Sequence, residues 1–315
     1  MATTLYTDLD VAVLLPCYNE ALTIADTIDA FRQILPKSKI YVYDNNSTDN
    51  TAEIAQQHGA IVGRELHPGK GNVVRRMFAD IDADIYLLAD GDCTYDCSKA
   101  PEMINKLFSE HLDMVVGVRV PVAGDNKVYR LGHTLGNKAF STLISKLFGD
   151  KFTDVFSGYR VFSRRFVKSF PSKSKGFEIE SELSIHTLEL RLPSGEVKTP
   201  YRSRPEGSTS KLRSYHDGFR ILWRIILLLK EVRPLLFFSI LATLFAAISI
   251  GIYIPVLIEY FNTGLIPRLP TTILSTGIML IAILSIACGL ILDNVGENKR
   301  EFKRLFYLTL PYLKK

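Results

Sequence analysis

The sequence predicts an α/β domain with a mostly parallel sheet, followed by an amphipathic helix and two membrane-spanning helices. Three observations carry this prediction. Short apolar runs rich in β-branched residues alternate with segments of helical period. Two long stretches near the C-terminus hold no charge at all, and basic residues gather at their flanks.

The alternation begins with Val11 to Leu15, a short buried-strand pattern closed by Pro16. Ala21 to Leu35 follows with Ile24, Ile28, Phe31 and Leu35 on one helical face. Lys39 to Tyr43 predicts a second strand, Thr51 to His58 a helix, and Ala60 to Val62 a short strand. Gly69-Lys70-Gly71 precedes a predicted helix over Asn72 to Ile81. Asp84 to Ala89 is a further strand that runs into Asp90-Gly91-Asp92, and Met114 to Val118 is another. Such alternation argues for a parallel sheet, whose ligands bind beyond the carboxyl ends of its strands. The polar clusters of this sequence sit at those ends.

Pro234 to Ile258 and Leu269 to Leu292 are uncharged runs of 25 and 24 residues, and a spanning helix needs about 20 apolar residues. Asn262 to Pro270 joins them into a hairpin. Residues 201–233 and 298–315 each carry a net charge of +5, whereas the connecting loop holds only Arg268. Basic flanks predict that residues 1–233 and the tail are cytoplasmic, and Met1 to Asp10 has no signal-peptide pattern. Gly218 to Val232, with Arg220, Trp223, Arg224 and Lys230, reads as an amphipathic helix in the headgroup layer or as the first turns of a longer span. The expected divisions are a catalytic domain over 1–213, a juxtamembrane helix over 214–233, a hairpin over 234–297 and a basic tail over 298–315.

Composition narrows the class. The 315 residues are 47% hydrophobic with only 20 Gly and 14 Pro, which excludes a disordered or collagen-like chain. Four dispersed Cys exclude a disulfide scaffold. The total net charge is +5, and the flanks around the hairpin account for it. Residues 1–200 are net acidic, so no nucleic-acid partner is implied.

Asp90-Gly91-Asp92 is the sharpest chemical motif. Two carboxylates one residue apart at a strand end suit Mg²⁺ or Mn²⁺, which take oxygen ligands and bridge to phosphate; Asp-Gly is also ordinary turn chemistry. Pro16-Cys17-Tyr18-Asn19-Glu20 follows the first strand and Asp44-Asn45-Asn46 the second, positions that also suit helix caps. Cys93 and Cys97 lack nearby His, and reduced structural thiols are expected there rather than a zinc site. His58, His67, His111, His133, His186 and His216 show no metal-pair spacing. If the segment around Glu178 and Glu180 is extended, the two carboxylates face opposite sides, and one of them suffices to meet a sugar.

Together, VAVLLPCYNE, VYDNNSTDNT, the Gly-Lys-Gly turn and ADGD resemble the family 2 nucleotide-sugar glycosyltransferases of the GT-A fold. Later motifs resemble the polyprenyl-phosphate group that contains dolichyl-phosphate mannose synthase. These are Gly117-Val118-Arg119, Asp154 to Arg160, Gly176 to Glu180, and Arg204 to Lys211. The resemblance implies that Pro16, Tyr18, Asn19, Glu20, Asp44, Asn46, Lys70, Asp90, Gly91 and Asp92 bind the nucleotide sugar, with Asp90 and Asp92 on the metal. It implies that Arg119, Arg130, Asn137, Arg204, Ser210 and Lys211 meet the acceptor phosphate, with Asp92, Arg119 and Lys211 acting in the transfer. Ser208 competes with Ser210 for that role, because the Gly-to-Lys interval is one residue longer than the family pattern. Asp154, Ser157, Gly158, Arg160, Glu178 and Glu180 would line the sugar.

The implied activity is inverting, metal-dependent transfer of one hexose from a nucleotide-diphospho-sugar, a UDP-hexose before GDP-mannose, to undecaprenyl or dolichyl phosphate. The processive polysaccharide synthases carry a Gln-x-x-Arg-Trp motif, whereas Trp223 here follows Ile221 and Leu222. Transfer to another membrane acceptor such as a diacylglycerol, or a non-catalytic lipid-binding scaffold, are the alternatives. Ala246, Ala247, Gly251, Gly277 and Gly289 suit close helix packing within the hairpin or in a homo-oligomer.

Overall fold

A computed structural model describes residues 9–122, 152–172, 174–176, 178–202, 226–227, 229–266 and 268–312. They fall into two compact units, one formed by the chain up to Ser214 together with Lys303 onward, the other by Tyr215–Phe302.

The first unit is built on seven strands: β1 (Val11–Cys17), β2 (Lys39–Asp44), β3 (Ile61–Arg64), β4 (Ile85–Leu88), β5 (Met114–Pro121), β6 (Arg160–Ser163) and β7 (Ser194–Tyr201). Their order across the sheet is β3-β2-β1-β4-β6-β5-β7. The β1–β2, β1–β4, β2–β3 and β5–β7 pairs are parallel, while β6 runs antiparallel to both β4 and β5. The strand interiors are apolar on both faces, with Val13, Leu14, Leu15, Ile85, Leu87 and Val115 fully buried. That is why they read as continuous apolar runs rather than alternating ones. Helices cover the sheet: α1 (Ile24–Ile34), α2 (Thr51–Gln57), α3 (Lys70–Asp80), α4 (Ala100–Ser109), α5 (Arg164–Ser169) and α6 (Ile179–Leu190).

This topology gathers distant segments at one edge. β1, β2 and β4 end together because they are parallel. β6 is antiparallel, with Arg160 opposite Leu88, so the residues before it arrive at the same edge as the loop after β4. β5 crosses β6 with Val116 opposite Arg160 and carries Arg119 there too.

Two helix starts differ from the pattern in the sequence. α1 begins at Ile24 rather than Ala21, because the Glu20 carbonyl takes the Thr23 and Ile24 amides while Thr23 Oγ1 turns to the Gly91 carbonyl. α3 begins at Lys70 rather than Asn72. Gly69 takes φ 122°, a left-handed conformation that glycine tolerates, and so places Lys70 in the first turn.

The second unit contains α7 (Pro234–Thr263) and the greater part of α8 (Leu269–Thr309). Both are long and apolar enough to cross a membrane. Large apolar side chains such as Leu236, Ile240, Phe261, Leu274 and Ile291 stand exposed along them. Ser249 Oγ donates to the Ser275 carbonyl at 2.7 Å. A Cβ on Gly289 would come within 2.9 Å of Phe238 Cβ, whereas Gly251 and Gly277 face open space. Of the expected juxtamembrane helix, only 226–227 and 229–233 are described, helical as far as Val232.

The expected division at residue 298 does not coincide with the structure. α8 runs on to Thr309, and its last turns belong to the sheet-bearing unit. There Asp113, fully buried, accepts hydrogen bonds from Ser163 Oγ, from Arg165 through Nε and an Nη, and from the Tyr307 hydroxyl, all at 2.6–2.8 Å. The Arg165 guanidinium also stacks on the Tyr307 and Tyr312 rings, 4.7 and 4.4 Å from their centroids. Lys303 pairs with Glu189 at 2.9 Å, and Arg304 donates to the Leu190 carbonyl.

On α6, His186 is buried edge-on between Phe166 and Phe170, and neither ring nitrogen has a hydrogen-bond partner among the described residues. Burial, reinforced by the nearby Lys303 charge, pulls its imidazole from 6.5 down to about 3. The folded state therefore holds the ring neutral, while the unfolded chain takes up a proton near pH 6.5. Stability from this residue is present above pH 6.5 and drains away as pH falls from there toward 3. We expect His186→Leu to flatten the acid limb of the stability profile, removing a slope of up to about 1.4 kcal/mol per pH unit below pH 6. Melting of the detergent-solubilised protein and its variant at pH 7.5, 6 and 5 measures this.

Candidate active site

At the strand edge, three non-glycine residues adopt left-handed backbone: Asn19 (φ 53°) after β1, Asn46 (φ 61°) after β2 and Cys93 (φ 55°) after β4. Such conformations cluster where a fold spends stability on a site. Side chains stitch the first two loops together. Asn19 Oδ1 accepts from the Thr48 amide at 2.8 Å, the Asn19 amide donates to Ser47 Oγ at 2.9 Å, and the Glu20 amide donates to Thr51 Oγ1 at 2.9 Å. Asp44 is buried and accepts from the Ser47 amide. Tyr18 is exposed, Pro16 is half-buried and Glu20 is buried. Asn46 Nδ2 donates to the Leu66 carbonyl.

The acidic pair lies one strand over. Asp92 is buried, with Oδ1 accepting from the Thr94 amide at 3.2 Å and Thr94 Oγ1 at 2.6 Å. Between the two carboxylates, Gly91 is boxed in: a Cβ there would fall 2.7 Å from Cys17 Sγ and 3.3 Å from Ile24 Cδ1. Asp90 Oδ1 holds the Lys70 ammonium at 2.5 Å, and Lys70 also contacts Glu180 Oε1 at 2.6 Å. Burial would lower the Lys70 pKa, but the Asp90 and Glu180 carboxylates outweigh it and the net shift is upward, so Lys70 is a fixed cation. Beside Asp90 opens a cavity of about 270 Å³ walled by Thr27, Phe31, Cys93, Tyr95, Cys97 and Arg202. Burial pushes the Cys97 thiol up to about 12 and raises Cys93 as well, as suits protonated, structural thiols.

Gly158 sits directly over the Lys70 pair. A Cβ at that position would lie 3.0 Å from both Asp90 Oδ2 and Lys70 Nζ. The Gly158 amide donates to the Tyr95 hydroxyl at 2.9 Å, and Ser157 Oγ donates to the Gly117 carbonyl at 2.5 Å. Arg160 is fully buried, giving its protons to the Ser157 and Val155 carbonyls. Burial pulls it down to about 10 against the opposing pull of Glu180 and Asp154. Arg160 and Ser157 thus brace the turn rather than line an opening.

Arg119 makes a two-point ion pair with Asp154, at 2.7 Å through Nε and 2.8 Å through an Nη, and its guanidinium stands 5.5 Å from the Tyr201 ring centroid. Burial opposes charge on both partners, yet their hydrogen bonding wins: Asp154 is lowered and Arg119 raised. The region of Glu178 and Glu180 is not extended. Glu178 precedes the first helical residue of α6 and Glu180 lies in its first turn, so the alternating-face expectation is replaced by helical geometry that turns Glu180 to Lys70. Arg130, Asn137, Arg204, Ser208, Ser210 and Lys211 lie outside the described residues.

Two contributors, Thr94 and Tyr95, were not singled out in the sequence. Asn45, named there beside Asp44, bridges the Glu65 and His67 carbonyls and the Gly69 amide. Among the described residues no group of three or more His, Cys, Asp or Glu is arranged to hold a metal. Asp90 and Asp92 nevertheless fit a hard cation, since both donors are carboxylate oxygens at one strand end and a donor diphosphate would complete the coordination.

This fold and edge geometry define a GT-A glycosyltransferase scaffold. Residues 12–170 match the family model for glycosyl transferase family 2, and the chain belongs to that family. It is 31% identical over 292 residues to glycosyltransferase AglJ of Haloferax volcanii, covering 92% of this chain and 95% of that protein. It is 56% identical over 129 residues to protein RfbJ of Shigella flexneri, covering 41% of this chain and 99% of that one. The fold resembles the crystal structure of glucosyl-3-phosphoglycerate synthase from Mycobacterium tuberculosis in complex with Mn²⁺, UDP and glucosyl-3-phosphoglycerate (TM-score 0.56, 22% identity, 71% of this chain and 80% of that one).

The Arg119–Asp154 pair yields a direct expectation. Asp154→Ala strands a buried guanidinium and should destabilise the protein by about 3–5 kcal/mol, while Arg119→Met with Asp154→Ala recovers most of that loss. Urea unfolding of the two variants separates the outcomes.

Proposed function

We propose that the protein transfers a single hexose from a nucleotide-diphospho-sugar to a polyprenyl phosphate, undecaprenyl or dolichyl, at the cytoplasmic face of a membrane. The observation that carries this reading is the joining, in one family 2 chain, of a carboxylate pair at the β4 edge to two membrane-length helices with basic flanks. A polyprenyl phosphate keeps its tail in the bilayer and presents an anion at the surface, where Lys and Arg near the membrane attract it by about 1 kcal/mol each.

In this reading Pro16, Tyr18, Asn19, Glu20, Asp44 and Asn46 hold the nucleotide. Their loops are rigidly cross-linked, so little ordering remains to be done when the donor binds. Asp90 and Asp92, with Gly91 between them, would hold a Mg²⁺ or Mn²⁺ ion, which would supply positive charge to the departing diphosphate. Lys70 places a second, permanent positive charge beside Asp90. Arg119, fixed by Asp154, and Lys211 with Arg130, Asn137, Arg204 and Ser210, receive the acceptor phosphate. Gly158 and Glu178 contribute to the sugar side of the site.

A phosphate oxygen of the lipid attacks the anomeric carbon, the bond from that carbon to the donor diphosphate breaks, and the nucleoside diphosphate leaves with the electron pair. The acceptor is already an anion at neutral pH, so no side chain need remove a proton. One displacement inverts the anomeric centre.

The test uses purified full-length protein in nanodiscs, with UDP-glucose, UDP-N-acetylglucosamine, UDP-galactose and GDP-mannose as donors. Acceptors are undecaprenyl phosphate, dolichyl phosphate and diacylglycerol. We expect nucleoside diphosphate release only with a polyprenyl phosphate, a product one hexose heavier by mass spectrometry, and a loss on the order of 100-fold in Asp92→Asn. Transfer to diacylglycerol, or activity indifferent to both chelator and Asp92→Asn, would refute the assignment.

A further inference from the structure

We propose that Glu180 is a positioning residue that works through Lys70 to set how weakly the Asp90–Asp92 pair holds a free divalent cation, so that metal binds firmly only together with the donor diphosphate. This inference rests on the reading that Asp90 and Asp92 are the metal ligands.

Four side chains carry it. The Lys70 ammonium lies 2.5 Å from Asp90 Oδ1 and 2.6 Å from Glu180 Oε1, with the Lys70 and Glu180 side chains 10% and 6% exposed. Gly158 closes over Lys70, and on the other side the backbone of 174–176 packs on the Gly69-Lys70-Gly71 turn, the Gly71 amide donating to the Gly176 carbonyl at 3.1 Å. A Cβ on Gly69 or Gly71 would collide with the carbonyls of Lys175 and Ser174. The ammonium is therefore clamped against an oxygen that a cation would use.

Charge decides the consequence. Asp90, Asp92 and Glu180 bring three negative charges and Lys70 one positive. The ammonium repels an incoming divalent cation at close range, where screening by solvent is weak. A donor diphosphate adds further negative charge and new oxygen ligands, which tips the balance toward the metal. Glu180 neither ligates the ion nor needs to touch the sugar in this scheme; it shares the Lys70 ammonium with Asp90, so that its loss would leave that charge wholly on the ligand oxygen.

Manganese electron paramagnetic resonance on the purified full-length protein in detergent, with no acceptor present, reads the effect directly. Mn²⁺ is titrated with and without UDP into the wild type, Lys70→Met and Glu180→Gln, each first checked for a cooperative melt. Without UDP, Lys70→Met should bind Mn²⁺ on the order of tenfold more tightly than wild type, and Glu180→Gln several-fold more weakly. UDP should tighten Mn²⁺ binding at least tenfold in wild type and markedly less in Lys70→Met. A purely structural role would weaken both variants alike, and a role confined to sugar contact would leave UDP-free Mn²⁺ binding unchanged in Glu180→Gln. Either result overturns the proposal. If Lys70→Met does not fold, the Glu180→Gln titrations decide through the gain in Mn²⁺ affinity on adding UDP: the proposal expects that gain to exceed the wild-type gain, and weakening by the same factor with and without UDP overturns it. Wild type that binds no Mn²⁺ even with UDP sinks the metal reading itself, an outcome distinct from unshifted variants of a metal-binding wild type.

Discussion

A single buried ammonium organises the strand edge. Lys70 comes from the first turn of α3, Asp90 from the loop after β4 and Glu180 from the first turn of α6. An unpaired charge at that depth would be prohibitive, so the three elements come together or not at all. The glycines around it follow from the same demand. Gly69 and Gly71 let the 174–176 backbone approach, and Gly158 lets its own backbone close directly on the pair. Gly91 keeps the carboxylate-bearing loop pressed against Cys17 and α1.

Asp113 plays a comparable part on β5's other end, away from the carboxyl edge of the sheet. Its carboxylate is fully buried and satisfied by Ser163, Arg165 and Tyr307, so the close of the chain is written into the same unit as its beginning. Buried charge that is fully hydrogen-bonded specifies one arrangement of its partners, because every alternative leaves a group desolvated without compensation. The two hubs place ionic specificity where apolar packing alone would accept several registers.

Much of this architecture is legible in the residues. β1 and β4 stand out as apolar runs because both of their faces are covered, and the two long helices because uncharged stretches of that length are rare in any water-facing helix. The carboxylate pair is legible because Asp-Gly-Asp follows a buried strand with no intervening residue of another kind. Helix starts were less so: Thr23 and Gly69 are decided by a carbonyl of the β4 loop and by the backbone of 174–176, neither of which is local. Glu178 and Glu180 look equivalent in sequence, and only the helical turn of α6 separates them.

What the sequence by itself determined was everything carried by local period and run length: strand against helix, the apolar hairpin, the basic flanks and the acidic pair at a strand end. The tertiary structure alone decided which distant group neutralises each buried charge. Lys70 meets Glu180 and Asp113 meets Tyr307 across more than a hundred residues. No local pattern encodes such a partner, because the need for it arises only once burial has stripped the water away.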